Sequence, residues 1–224
     1  MSSNGSFSFS KEAARPANGQ MFPQWALDMI RPVVGGLSRV LWKIEFRGVE
    51  NIPEHGGVIV AANHQTYFDP FWLSLKIKRP TRYLAWNSAF KWPVVGPALT
   101  LFGAWPLALE GSDPAPIRRS IQWLRDGGAV VIFPEGGRAT PEGALERFKS
   151  GAVRLALEAD VPILPVTIKG GNRIWPRGWR FPRTGKVVIT YHPLYHAQQV
   201  SKEETRAAAK RESERLAKVI ASAL

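Results

Sequence analysis

Cysteine is absent from the 224 residues, and acidic side chains are scarce, 18 against 30 basic ones. Without a thiol, disulfide frameworks, Cys-ligated zinc or iron–sulfur sites and cysteine nucleophiles are all excluded, and a cytosolic address is compatible. The apolar stretch with the strongest helical spacing is interrupted by Asp28, Arg31, Arg39 and Lys43, which argues against a bilayer span of about 20 predominantly apolar residues. Residues 1–20, rich in Ser, Gly, Asn and Ala, lack the apolar segment of a secretory signal and read as a flexible leader.

What is present is a folded composition, 45% hydrophobic and 21% charged, carrying a formal charge of +12. Such a body attracts polyanions, which leaves nucleic acid, an anionic membrane surface or an acidic carrier protein as partner classes. Tryptophan is unusually frequent at nine. Its amphipathic ring suits the headgroup layer of a bilayer, although core and cation–π packing uses the same residue.

From Phe22, apolar residues recur at intervals of three and four through Trp25, Met29, Val33, Leu37 and Leu41. Pro32 predicts a kink or split, so residues 21–44 read as two short amphipathic helices, lying on a membrane interface or packed on the protein's own core. Residues 45–224 form the main domain. Apolar runs at 57–62, 82–86, 129–133, 161–168 and 186–191 read as strands. Helices are expected at 70–77, 114–125 (Asp113 as N-cap, Pro114 first), 151–159 (Ser150 as cap) and 202–224. The alternation predicts an α/β fold with a mixed, largely parallel sheet flanked by helices.

Two segments could carry chemistry. Asn63-His64-Gln65-Thr66-Tyr67-Phe68-Asp69-Pro70 follows the first buried strand. His64 and Asp69 would lie about 140° apart on one helix, so they meet only across a turn, which Asp69 as N-cap and Pro70 supply. Phe133-Pro134-Glu135-Gly136-Gly137-Arg138 follows the strand AVVIF and offers a carboxylate, a forked cation and accessible backbone amides. Arg147, Lys149 and the helix start at Ser150 add anion-binding capacity. The plainer readings are a helix cap for the first segment and a Gly-rich turn with a surface ion pair for the second.

These blocks, in order, resemble the glycerophospholipid acyltransferase family, typified by 1-acyl-glycerol-3-phosphate acyltransferase. NHQTYFD (63–69) matches the family's His-x4-Asp. FGAWPLAL (102–109) stands in place of the second block, FPEGGR (133–138) is close to FPEGTR, and VPILPV (161–166) completes the set. The resemblance covers about residues 45–195. It departs at Gly137, commonly Thr, and at Leu109, where the family usually has an Arg that helps hold the acceptor phosphate; that departure bears on acceptor identity.

The resemblance implies an O-acyltransferase of phospholipid biosynthesis that moves a fatty acyl group from acyl-CoA or acyl carrier protein to the free hydroxyl of 1-acyl-glycerol-3-phosphate. His64 would be the general base oriented by Asp69, while Glu135, Gly136, Gly137, Arg138 and Lys149 would bind the acceptor's polar head. No cofactor or metal is expected. His192 and His196 share a four-residue spacing, but Pro193 takes them out of a helix. Leu99, Phe102 and Gly103, within the apolar run 94–109, are the candidate wall of an acyl groove. The loop NRIWPRGWRFPR (172–183) interleaves Arg with Trp and suits anionic phospholipid or single-stranded nucleic acid. The lipid surface is the expected partner, with no nucleic acid, at the cytoplasmic face as a peripheral protein. The rivals are an acyltransferase for another lysolipid or hydroxylated lipid, and a non-catalytic basic binding module.

Overall fold

The computed structural model describes residues 23–93, 95–107, 114–176, 178–198 and 205–224. The expected leader, the cap at Asp113, and positions Leu109 and Arg177 lie outside them. Strands β1 (Glu45–Arg47), β2 (Val58–Ala62), β3 (Thr81–Trp86), β4 (Ala104–Leu107), β5 (Ala129–Ile132), β6 (Ile163–Lys169) and β7 (Val188–Tyr191) form a seven-stranded sheet in the order β1-β7-β6-β2-β5-β3-β4. Every neighbouring pair is parallel except β6 with β7. The expected mixed, largely parallel sheet is therefore present.

Strand β2 is buried along its whole length because helices cover both faces of the sheet. Val58, Val60 and Ala62 join the core on one face with Trp42 of α1 (Gln24–Trp42) and with Trp72 and Leu73 of α2 (Asp69–Ser74). Ile59 and Ala61 face the opposite core. There they join Ile121 and Leu124 of α4 (Ala115–Arg125), Leu155 and Ala156 of α5 (Gly151–Ala159), and Leu216 of α7 (Thr205–Ala221). The remaining helices are α3 (Val95–Leu101) and α6 (Gly171–Ile174).

Several boundaries differ from expectation. Residues 24–42 form one helix, not two: Pro32 sits on its exposed side, where the carbonyl released four residues earlier can be solvated. Asp69 is the first helical residue and Phe68 the N-cap, because the Asp69 carboxylate turns back onto the preceding loop instead of capping forward. Pro114 occupies the N-cap of α4, and Ser150 occupies that of α5 without a side-chain capping bond. The edge strands β1 and β4, and the short helices α3 and α6, had no sequence signal of their own.

The outward side of α1 is apolar. Trp25, Met29, Val33 and Val40 are each at least two-thirds exposed, while Ser38 and Trp42 are buried. Arg31 anchors the helix: its Nε and Nη2 donate to the carbonyls of Ser74, the last residue of α2, and of Ile77 just beyond it, and its Nη1 pairs with Asp28. At its C-terminal end, Trp42 Nε1 donates to the Arg183 carbonyl at 2.9 Å, and the Leu41 carbonyl accepts from Gly185. The helix and the Trp/Arg loop are thus tied together. Among the described residues no helix is long and apolar enough to cross a membrane.

Candidate active site

β2 and β5 are parallel neighbours in register, Val58 beside Ala129 through Ala61 beside Ile132. Their carboxyl ends therefore leave the sheet side by side, bringing the His64 loop and the Glu135 loop to one edge. Functional loops of parallel α/β sheets gather at this edge.

His64 Nδ1 lies 2.8 Å from Asp69 Oδ2. That oxygen also accepts from the backbone amides of Gln65 at 2.6 Å and Thr66 at 2.9 Å, and Asp69 is fully buried while His64 remains partly exposed. An ionised carboxylate has no proton to give, so the proton on this bond belongs to Nδ1, and Nε2 is left as the imidazole acceptor. The ring stacks on Phe133, with centroids 4.1 Å apart and planes 21° from parallel. One contact sets the tautomer and the other sets the ring plane.

Glu135 is buried and holds the two loops together. Its Oε1 accepts the His64 backbone amide at 2.7 Å, and its Oε2 accepts the Glu146 amide at 2.9 Å. Burial pushes its carboxyl above the ordinary range, and the two amide bonds pull in the opposite direction. Both carboxylate oxygens accept backbone donors, so beside the polar-head binding that the family resemblance implies, Glu135 has a second part in the site, which is to fix the His64 loop. The Ala139 amide adds a further tie, donating to the His64 carbonyl at 2.7 Å.

The turn that follows is open. Gly136 has φ +73°, and a Cβ there would come within 2.6 Å of Lys149 Nζ, so Lys149 lies directly over this glycine. A Cβ on Gly137 would meet nothing within 4 Å. The Arg138 guanidinium is centred 3.6 Å from the Tyr67 ring. Arg138 and Lys149 are thus both placed beside the turn that adjoins His64.

Two residues of the first segment act as clamps that the sequence reading missed. Asn63 continues the ladder beyond β2: Nδ2 donates to the Ile168 carbonyl at 2.8 Å, and Oδ1 accepts the Ile168 amide at 2.7 Å. Gln65 Oε1 accepts the Gly171 amide at 2.8 Å, joining the loop to the start of α6. The available signal was a pair of buried amide side chains flanking the histidine directly after an apolar strand; buried polar groups require partners.

The candidate groove residues divide. Leu99, like Phe68 and Phe133, is partly buried and packs against the core around Trp72 and Leu73. Phe102 lines a small cavity between α1, α2 and β3 with Leu27, Ile77 and Tyr83, and meets Phe71 of α2 edge-on at 4.8 Å. Gly103 is buried with φ +76°, where it turns the chain from α3 into β4. His192 lies away from this edge, with Nε2 2.8 Å from the Thr167 hydroxyl, which itself donates to the Ile220 carbonyl. Among the described residues, no group of three or more His, Cys, Asp or Glu side chains could hold a metal ion.

A sequence model described as Acyltransferase matches residues 43–169. The chain is 36% identical over 171 residues to the 1-acyl-sn-glycerol-3-phosphate acyltransferase of Pseudomonas aeruginosa, covering 72% of this chain and 63% of that protein. It is 32% identical over 161 residues to the chloroplastic enzyme BAT2 of the same name from Brassica napus, covering 69% of this chain and 46% of that one. The chain thus spans about half the length of its plant relative and under two thirds of the bacterial one. The crystal structure of the 1-acyl-sn-glycerophosphate (LPA) acyltransferase PlsC from Thermotoga maritima superposes with a TM-score of 0.67 at 27% identity, covering 88% of this chain and 81% of that one. With the family's match spanning the loops that carry both His64 and Glu135, the chain belongs to the acyltransferase family.

Proposed function

We propose that the protein transfers a fatty acyl group from a thioester, acyl-CoA or acyl carrier protein, to the free hydroxyl of 1-acyl-glycerol-3-phosphate. The observation that carries this reading is the His64–Asp69 pair at the carboxyl edge of β2, with Nε2 of a partly exposed imidazole as acceptor. Nε2 takes the hydroxyl proton as the oxygen attacks the thioester carbonyl. The carbon–sulfur bond then breaks, and the imidazolium returns the proton to the departing thiolate. Asp69, charged and buried, stabilises the imidazolium between these events. The chain holds no cysteine, and acyl transfer direct from donor to acceptor requires no enzyme nucleophile.

Arg138 and Lys149 beside the glycine turn fit the acceptor phosphate, a planar forked donor and a point charge respectively. Peripheral membrane binding at the cytoplasmic face, where the thioester donor is available, is supported by the exposed apolar side of α1 and by exposed Trp179 and Phe181 on the loop bonded to its end. The test is mass-spectrometric detection of product from purified protein offered 1-acyl-glycerol-3-phosphate and neutral or zwitterionic lysolipids with each donor. Phosphatidate formed from lysophosphatidate supports the assignment. Turnover confined to another lysolipid reassigns the acceptor, and no acyl transfer with any pair refutes the enzymatic reading.

A further inference from the structure

Tyr67 is one of the four residues between His64 and Asp69, yet it contributes nothing to their hydrogen bond. The residue is 37% exposed. The Arg138 guanidinium covers one face of its ring at 3.6 Å, and the Trp175 ring meets it at 5.2 Å and 71°, an edge contact. Trp175 also packs on Phe68 at 5.2 Å and donates its indole N–H to the Trp179 carbonyl at 2.9 Å. Phe68 in turn leans on Trp42 at 4.6 Å. The Tyr67 ring is thereby braced by Trp175 while it holds a cation from the Glu135 loop.

A guanidinium gripped by its face keeps its N–H donors in its own plane, pointing away from the ring–cation axis. Because Tyr67 is three residues from His64, the stack sets the distance between that donor fork and the general base. The Ala139-to-His64 bond, one residue from Arg138, fixes the same spacing through the backbone. An arginine side chain loses rotamer freedom when it binds, and a stacked one has already lost it before the ligand arrives.

We infer that Tyr67 is a positioning residue for the acceptor's phosphate: it holds the Arg138 guanidinium in the plane and at the distance from His64 that suit a glycerol hydroxyl and a phosphate of one molecule. The inference rests on the reading of the protein as a lysophosphatidate acyltransferase and deepens it by assigning the ring face, not the phenol oxygen, to acceptor specificity.

The test compares Tyr67→Phe with Tyr67→Leu in mixed micelles. Tyr67→Phe keeps the ring face and retains the wild-type KM for 1-acyl-glycerol-3-phosphate. Tyr67→Leu raises that KM about tenfold with kcat within about threefold. Inhibition by 1-acylglycerol, a competitor lacking phosphate, keeps its wild-type Ki in both variants. Equal damage by both substitutions overturns the inference and points to the phenol hydroxyl. A parallel rise in the 1-acylglycerol Ki also overturns it, because it reports a general loss of loop structure. Unchanged KM in Tyr67→Leu sinks the inference alone, whereas wild-type protein inactive on lysophosphatidate sinks the functional reading beneath it.

Discussion

Replacing Asp69 by Asn removes one charge while leaving the turn nearly intact. Asp69 Oδ2 collects three donors between 2.6 and 2.9 Å. A carboxamide oxygen can occupy the same place, because turning the NH2 there would set it against two backbone N–H groups. Geometry is therefore conserved, and what disappears is the anion facing the imidazolium that forms during transfer. At an effective dielectric of about 20, a unit pair whose charge centres lie about 4 Å apart is worth about 4 kcal/mol. At 1.36 kcal/mol per decade this corresponds to a kcat loss of about 10³-fold. Because the carboxylate is fully buried and does not face a substrate, KM stays within about threefold. Replacing charge-assisted acceptance by a neutral one costs about 1 kcal/mol of stability, or about 2–4 °C in Tm for a chain of this size. Thiol release under saturating acceptor measures the first effect and thermal unfolding the second. A kcat within tenfold of wild type in folded protein refutes the role given to Asp69.

Other outcomes follow from the same geometry. Glu135→Gln presents an NH2 to either the His64 or the Glu146 amide, so one buried donor loses its acceptor; stability falls by about 1–3 kcal/mol in denaturant titrations, and kcat drops because the His64 loop shifts. Gly136→Ala costs about 1–2 kcal/mol at φ +73° and displaces the Lys149 ammonium, whereas Gly137→Ala, with open space around its Cβ, stays within about 0.5 kcal/mol. His192 is held below its ordinary pKa of 6.5 by burial. The folded state then binds fewer protons than the unfolded one, so this contribution is complete above about pH 6.5 and is lost as pH falls below it. The urea midpoint accordingly drops between pH 7 and pH 5, and His192→Gln flattens part of that drop; identical slopes in both proteins rule out the assignment.

The sheet was legible where strands are central. β2, β5 and β6 are buried on both faces, and only continuous apolar runs satisfy that position. β1 and β4 form the two sheet edges, each bonded on one side only, so a three-residue strand such as Glu45-Phe46-Arg47 needs no apolar signature. β4 lay inside the apolar run 94–109, which has no clear period. The His64–Asp69 pair was legible because its members are close in sequence and local turn chemistry joins them. The second function of Glu135, and the Tyr67–Arg138–Trp175 stack, were not. They depend on which strands become neighbours, and the pairing of β2 with both β5 and β6 that places them is a property of the whole sheet.

The most direct measurement is phosphatidate formation from a thioester and 1-acyl-glycerol-3-phosphate by wild-type protein and His64→Ala, followed by mass spectrometry with folding verified by circular dichroism. The account predicts robust product from the first and a rate lower by about 10²- to 10⁴-fold from the second, with acceptor binding retained. Folded His64→Ala protein that transfers acyl groups at the wild-type rate would contradict it.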